Sequence, residues 1–158
     1  MPAHEHAYAV DLKWTGAGAE GTSSYAAYAR DHRLSAPGKP PIPGSSDPAF
    51  RGDPARWNPE DLLVASLSSC HMLWYLGLCA GRGVRVTAYA DSAQGWMRDE
   101  GQAGGQFTRV LLRPRVTLAP GSDLELARRL HHDANAKCFI ARSVNFPVEH
   151  EPAVEIAP

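Results

Sequence analysis

The sequence predicts a single α+β domain that spans all 158 residues. Two observations lead to this prediction: several segments alternate apolar and polar residues, as strands do, and one long apolar segment has the features of a buried helix. The predicted order is two strands, a helix, two strands, a helix and a strand. Pairs of consecutive strands, with a helix between one pair and the next, are typical of antiparallel hairpins packed against helices.

The first helix is the centre of the predicted fold. Asn58 suits the N-cap, Pro59 suits the first helical position, and Glu60 suits the positive end of the helix dipole. Residues 62–78 place apolar or small side chains on every side, which is typical of a buried helix. We therefore expect Cys70 in mid-helix, inside the protein.

The other elements are predicted from alternation and from capping residues. A half-buried first strand is expected to pair with a long second strand, and a proline-rich loop then leads to the helix. A capping box of Ser122 and Glu125 is expected to open the second helix. The predicted segments are strands 8–14, 22–34, 84–90, 108–118 and 148–156, loop 35–57, and a hairpin tip at 101–105.

The composition argues against several classes of partner. Lys and Arg total 16 and Asp and Glu total 17, so the net charge of -1 indicates neither nucleic-acid nor membrane binding. The three cysteines lack the spacing of a disulfide framework, which predicts a reducing, cytoplasmic setting. Residues 1–13 lack the basic and apolar regions of a signal peptide, so we expect no leader.

Cys70 has two interpretations at this point. A cysteine within an apolar helix is usually a small core residue whose pKa burial raises and which is inert. A reactive Cys70 needs a nearby cation, because in mid-helix it gains nothing from the helix dipole. His71 points about 100° away around the helix and is a poor partner. The remaining candidates are Arg30, Arg51 and Arg56, with Arg30 slightly preferred over Arg51.

Cys138 is the only plausible disulfide partner of Cys70 within one chain. Cys79 is on the same helix about 13 Å further along the axis, which is too far for a disulfide. A metal site of the two cysteines with His71 and His131 is a weaker alternative, because no pair has the usual ligand spacing. We expect His131 to be a helix-surface or interface residue instead.

Two motifs resemble one known family. The segment Asn58–Glu60 (NPE), followed ten residues after the glutamate by Cys70, resembles the first cysteine motif of the OsmC/Ohr thiol peroxidases, named after osmotically inducible protein C and organic hydroperoxide resistance protein. The segment Ala136–Ser143 (AKCFIARS) resembles the second. The order of strands and helices fits along nearly the whole chain. The resemblance implies an intertwined homodimer in which antiparallel sheets enclose two central helices per subunit.

The resemblance also implies roles for particular residues. Cys70 corresponds to the peroxidatic thiol, Cys138 to the resolving thiol, and Glu60 to the carboxylate that holds an arginine over the thiolate. The Ohr branch carries that arginine in the first hairpin, where residues 15–24 have none. The OsmC branch carries it shortly before the first motif, where Arg51 is slightly out of register.

The sequence therefore predicts a cysteine-based peroxidase that reduces organic hydroperoxides through a two-cysteine disulfide cycle, with no metal or organic cofactor. The resemblance implies an external dithiol reductant, often a lipoylated protein in this family, and a homodimer. Because ten helical residues place Glu60 about 15 Å from Cys70 along the axis, we expect Glu60 to act across the subunit boundary. One alternative is a dimer that binds a small molecule and keeps its cysteines for structure. A further alternative is a metal-dependent hydrolase that uses Cys70 and histidines.

Overall fold

A computed structural model describes residues 2–158 as an α+β chain with two long helices and three small sheets. The chain forms two compact units, residues 1–62 and residues 63–158. The helices are α1 (Pro59–Gly81) and α2 (Leu124–Lys137). The strands are β1 (Asp11–Trp14), β2 (His32–Ser35), β3 (Ile42–Gly44), β4 (Val86–Asp91), β5 (Gln94–Asp99), β6 (Gly105–Leu112), β7 (Pro114–Leu118), β8 (Val148–His150) and β9 (Ala153–Ile156).

The first unit is built on an antiparallel sheet of β1, β2 and β3, in which Leu12 lies opposite Leu34. All four residues of β1 are exposed, so the prediction of a half-buried first strand is wrong for the chain by itself. The predicted strand 22–34 is also wrong over most of its length, because residues 18–28 form turns and only the last residues pair. Two glycines with positive φ and a run of small residues favour turns there over a ladder.

The turn segment of the first unit is fixed to β1 by close backbone contacts. The indole Nε1 of Trp14 donates to the Ala29 carbonyl at 2.9 Å, and the Ala29 amide donates to the Gly16 carbonyl at 2.9 Å. A Cβ at Gly16 would overlap the Ala29 carbonyl oxygen, so this approach requires glycine. Residues 36–57 form a loop, as their proline content predicted, and the loop contains β3 and a short 3-10 helix, Pro48–Phe50, that was not predicted.

Helix α1 begins where the sequence predicted. The Asn58 side-chain oxygen accepts a hydrogen bond from the Asp61 amide at 2.7 Å, which confirms Asn58 as the N-cap. Only one stripe of α1 is fully buried, and its other faces are half-buried or exposed. The prediction of a helix buried all round is therefore wrong for the chain by itself. The buried residues are Leu67, His71, Tyr75 and Cys79.

By length and composition alone, α1 could also cross a membrane, since it has 23 residues and a mean hydropathy of 1.5. Core helices of water-soluble proteins meet the same criterion. The interior position of the buried stripe, against α2 and the sheets, is that of a core helix.

The second unit contains two three-stranded sheets, ordered β4-β7-β9 and β5-β6-β8. The predicted long hairpin is present, but each arm is divided into two strands that belong to different sheets. The last predicted strand is divided in the same way, and β8 and β9 pair in parallel with β6 and β7. The sheets are therefore mixed and not purely antiparallel as predicted, because the final segment returns in the direction of its neighbours.

Helix α2 begins one residue later than predicted. Asp123, not Ser122, is the N-cap, and its carboxylate accepts from the Leu126 amide at 2.9 Å. A carboxylate at this position also complements the positive end of the dipole. The helix ends at Lys137, and the Cys138 amide still donates to the Ala134 carbonyl at 2.9 Å. Cys138 is thus held at the C-terminal end of α2.

Candidate active site

Cys70 lies in the middle of α1, one position away from the buried stripe. Its side chain is half-buried and its thiol is free. The preceding residue, Ser69, is exposed, and the following residue, His71, is buried. Cys70 is therefore at the border between the core and the open face of the helix.

Cys138 is almost completely buried, with 1% of its surface exposed. The Ala141 amide donates to its Sγ at 3.4 Å, and the Ile140 amide also donates to it. Burial is the main cause that raises the pKa of Cys138 to about 11, and the two amides act in the opposite direction. This thiol is protonated at neutral pH.

The two thiols are close enough to interact with each other. After burial, the neighbouring Cys70 thiol is a further cause of the raised pKa of Cys138. The structure thus brings together the two cysteines that the sequence selected, and both are free thiols.

An apolar groove of about 380 Å³ lies along α1, beginning one helical turn after Cys70. Leu73 and Trp74 are three and four residues after Cys70, so they share its side of the helix. Phe139, directly after Cys138, forms an edge contact with Trp74 at a centroid distance of 5.3 Å. Leu73 is 64% exposed and Phe139 is 67% exposed. The groove is lined by Leu73, Trp74, Gly77, Leu78 and Phe139.

A cluster of imidazoles fills the space between α1 and α2. His71 Nε2 and His131 Nδ1 are 3.0 Å apart, and the two rings are nearly coplanar, at 5°. The Tyr75 ring stacks on His131 at 3.8 Å, and the His150 ring is 5.6 Å from that of His71. His71 is 1% exposed and His131 is fully buried. Burial is the main cause that lowers the pKa of His71 to about 4 and that of His131 to about 3.

The comparisons with known proteins agree with this arrangement. A family model described as OsmC-like protein matches residues 52–152, which include both cysteines and α1 and α2. An OsmC-like protein of unknown function from Vibrio cholerae O1 biovar eltor is 30% identical, with a TM-score of 0.84 over 94% of this chain and 100% of that one. This chain belongs to the OsmC-like family.

More distant structures share the fold of this OsmC-like protein. An organic hydroperoxide resistance protein from Elizabethkingia anophelis is 16% identical, with a TM-score of 0.66 over 98% of this chain and 100% of that one. An organic hydroperoxide resistance protein OsmC from Legionella pneumophila is 15% identical, with a TM-score of 0.65 over 96% and 99%. None of the curated proteins matches the chain.

The arginines proposed from the sequence belong to the first unit of the OsmC-like chain. The Arg30 guanidinium lies over the rings of Tyr25 and Tyr28, at 4.3 and 3.9 Å from their centroids, and donates to both of their carbonyls. These contacts fix its planar group. Arg51 adopts a left-handed conformation, with φ of 64°, at the end of the short 3-10 helix. Arg56 pairs with Asp31 at 3.3 Å.

Glu60 is half-buried in the first turn of α1, where an acidic side chain favours the helix dipole. A functional partnership of Glu60 or of either arginine with Cys70 stays a prediction. Cys79, on the buried stripe, is 0% exposed, and burial raises its pKa. The structure therefore separates Cys79 from the thiol pair, as the helix spacing predicted.

The imidazole cluster is the feature that the sequence interpretation missed. His131 is fully buried, so its expected place on the helix surface is wrong. Its position on the same helical stripe as Ala127, Ala134 and Cys138 was the available signal. Among residues 2–158, no group of three or more His, Cys, Asp or Glu side chains is arranged to hold a metal ion.

Proposed function

We propose that this OsmC-like protein is a cysteine-based peroxidase that reduces organic hydroperoxides. The observation that carries the proposal is the contact between a half-exposed thiol, Cys70, and a buried, protonated thiol, Cys138. The two relatives whose names describe organic hydroperoxide resistance support the substrate class. The apolar groove beside Cys70 suits the hydrocarbon part of such a substrate.

The reaction begins at Cys70. Its thiolate attacks the terminal oxygen of the hydroperoxide, the O–O bond breaks, and the departing alkoxide takes a proton to become an alcohol. Cys70 is then a sulfenic acid. The Cys138 sulfur displaces the hydroxyl, which leaves as water with the Cys138 proton, and a Cys70–Cys138 disulfide forms.

Reduction requires an external dithiol. It attacks the Cys70 sulfur, because Cys138 is 1% exposed and its sulfur offers no approach. Cys138 leaves into the site where the Ile140 and Ala141 amides face it, and it then regains a proton. The second thiol of the reductant closes its own disulfide and frees Cys70. A lipoylated protein in a reducing compartment such as the cytoplasm fits this role, and no metal or organic cofactor takes part in these steps.

The direct test is the intact mass of the protein after one equivalent of an organic hydroperoxide. The peroxidase loses two hydrogen atoms as the disulfide forms. The Cys138→Ser variant instead gains one oxygen atom, or more on overoxidation. An unchanged mass in the wild-type protein contradicts the proposal and favours a dimer that binds a small molecule in the apolar groove.

An arginine is proposed to hold the Cys70 thiolate, with Arg30 preferred over Arg51. The two tyrosine rings already order the Arg30 guanidinium, which lowers the entropy lost when it binds an anion. The rate of Cys70 alkylation against pH compares Arg30→Ala with Arg51→Ala. Arg56→Ala is the matched control, since the Arg56 side chain already forms ion pairs with Asp31 and Asp53. Profiles identical to wild type in both test variants remove this role.

A homodimer in which Glu60 acts across the subunit boundary completes the proposed site. Ten residues of helix separate Glu60 from Cys70 by about 15 Å along the axis, so Glu60 is poorly placed to act on its own chain's thiol. Leu73 and Phe139 are exposed apolar side chains that a second copy of the chain could bury.

Mixing two inactive variants tests the homodimer. Glu60→Ala and Cys70→Ser are unfolded together and refolded, and a mixed dimer then holds one intact site. Recovery of a sizeable fraction of wild-type activity supports action between subunits. A monomer in solution, or confirmed mixed dimers without activity, contradicts it.

A further inference from the structure

The hydrogen bond between His71 and His131 joins the two helices that carry the thiols. His71 directly follows Cys70 on α1, and His131 lies on α2, which ends at Cys138. The nitrogens are 3.0 Å apart and the rings are nearly coplanar, at 5°, as an N–H···N hydrogen bond requires. This side-chain bond between α1 and α2 is buried within the core of the second unit.

Tyr75 supports the bond from one side. Its ring stacks on His131 at 3.8 Å and 10°, and its hydroxyl donates to the Ala127 carbonyl at 3.0 Å. The stack limits rotation of the His131 ring, so Nδ1 continues to face His71. The hydroxyl makes a second, separate attachment of α1 to α2, one helical turn before His131 and therefore further from Cys138.

The pair is neutral at physiological pH, and two neutral rings can form the bond. Two imidazolium rings would point N–H groups at each other, whereas two neutral rings offer one donor and one acceptor. Burial lowers the pKa of both rings, and neighbouring imidazoles lower them further. The groups that face the pair are His150 from β8 and Asp91 from β4, with His132 acting on His150.

The bond is placed where it controls the position of Cys138. Seven residues of helix separate His131 from Cys138, an arm of about 10 Å. A tilt of about 10° at His131 would move the end of α2 by about 2 Å, as much as the length of an S–S bond. Because a disulfide tolerates little error in position, the thiols meet only if α2 is held at a fixed angle to α1.

We propose that His71 and His131 are positioning residues for the disulfide step: their hydrogen bond holds α2 so that Cys138 meets Cys70. The role in turnover rests on the proposed peroxidase function, whereas the control of the thiol pair is a property of the fold. Neither histidine touches the peroxide. Their loss is expected to reduce the effective concentration of Cys138 at Cys70 and to leave the attack of Cys70 on peroxide intact.

The test is the equilibrium of the Cys70–Cys138 disulfide with reduced and oxidised glutathione, which needs no peroxide. His131→Phe keeps the stack on Tyr75 and removes the nitrogen that meets His71. It is expected to lower the equilibrium constant for disulfide formation by about tenfold, the equivalent of one hydrogen bond. Tyr75→Phe is the matched control, because it also removes one hydrogen bond between α1 and α2, and it should change the constant less than about twofold.

A conservative variant separates positioning from general packing. The Asn side-chain amide lies where His Nδ1 lies, so His131→Asn can still bond to His71 Nε2 and should recover most of the lost tenfold. It also serves as the test if His131→Phe does not fold, in parallel with His71→Gln, whose amide replaces Nε2. Trapping of the sulfenic acid with dimedone should be as fast in these variants as in wild type, while its conversion to disulfide slows.

Two results would overturn the inference. One is an equilibrium constant in His131→Phe equal to that of wild type, or lowered equally by Tyr75→Phe. The other is a wild-type protein that forms no Cys70–Cys138 disulfide in glutathione. A protein that forms this disulfide but does not consume hydroperoxide contradicts the peroxidase proposal alone.

Discussion

Helix α1 carries two cysteines nine residues apart, and their surroundings differ in every respect that controls thiol chemistry. Cys70 is half-buried, lies one helical turn before an apolar groove and is close enough to a second thiol to affect its pKa. Cys79 is 0% exposed and packs among apolar residues and Tyr75. The apolar character of the helix is the same at both positions, so composition does not separate them.

The difference between the two cysteines comes from position around the helix. Cys79 belongs to the stripe of Leu67, His71 and Tyr75, at spacings of four residues, and this stripe faces the core. Cys70 is one position before that stripe, which turns its sulfur toward the border of the core and toward Cys138. A single residue step thus separates a packing thiol from one at the border of the core.

The largest difference between Cys70 and Cys79 is expected in the activity of their alanine variants. Cys70→Ala should abolish the consumption of organic hydroperoxide in the presence of a dithiol, because no other thiol is both accessible and paired. Cys79→Ala should keep activity within about twofold of wild type, since it lies outside the reacting pair. Cys138→Ser should react once and then stop. A larger loss in Cys79→Ala than in Cys70→Ala would contradict the assignment.

Alkylation is expected to rank the three thiols without any peroxide. At pH 8, a pKa of about 11 leaves Cys138 with about a thousandth of its molecules as thiolate, so its alkylation by iodoacetamide should be on the order of a hundredfold slower than that of a thiol with an ordinary pKa, and Cys70 should be labelled first. Burial should slow Cys79 as well. Peptide mass spectrometry after timed labelling gives the three rates. Labelling of Cys138 before Cys70 would reverse the proposed roles.

Acid is expected to weaken the core beside Cys79 and the histidines. The pKa of His71 falls from 6.5 to about 4 on folding, so the unfolded chain binds the extra proton between these values. The contribution of the neutral His71 to the free energy of unfolding is therefore fully present above pH 6.5. It declines toward pH 4, by on the order of 3 kcal/mol. Urea unfolding measured from pH 7.5 to 4.5 reports the decline.

A matched pair of variants assigns that acid dependence. His71→Gln should reduce it by roughly half, because one of two buried histidines with a lowered pKa is removed and His131 remains. His132→Gln, at an exposed position, should leave it as in wild type. Equal slopes in all three proteins would place the acid dependence elsewhere in the chain.

The sequence predicted the parts of this molecule that depend on local patterns. The cap at Asn58, the helical conformation of residues 62–78 and the proline-rich loop follow from spacing and residue type, and the structure has them. The exclusion of Cys79 as a partner of Cys70 also follows from spacing, since both lie on α1. Each of these features is decided within a short stretch of chain.

Features that depend on distant segments were not predicted. The parallel pairing of β8 and β9 is decided by where the last segment returns, and alternation carries no information on strand direction. The burial of His131 depends on His71, which is 60 residues away. Alternation alone predicted a strand in the segment before β2. That segment has few β-branched residues, and it forms turns instead.

Substitution of Cys79 is expected to lower the free energy of unfolding more than substitution of Cys70, the reverse of their expected effects on activity. The difference is small. Cys79 fills space in a closed cluster, so Cys79→Ala leaves a cavity and should lower the free energy of unfolding by about 1 to 2 kcal/mol. Cys70 is half-buried beside an open groove, where neighbours and water can occupy the space, so Cys70→Ala should cost less than about 0.5 kcal/mol. Urea unfolding at pH 7.5, under reducing conditions so that no disulfide contributes, measures both. A cost at Cys70 as large as that at Cys79 would mean that Cys70 is also a packing residue, and the distinction between the two cysteines would then rest on activity alone.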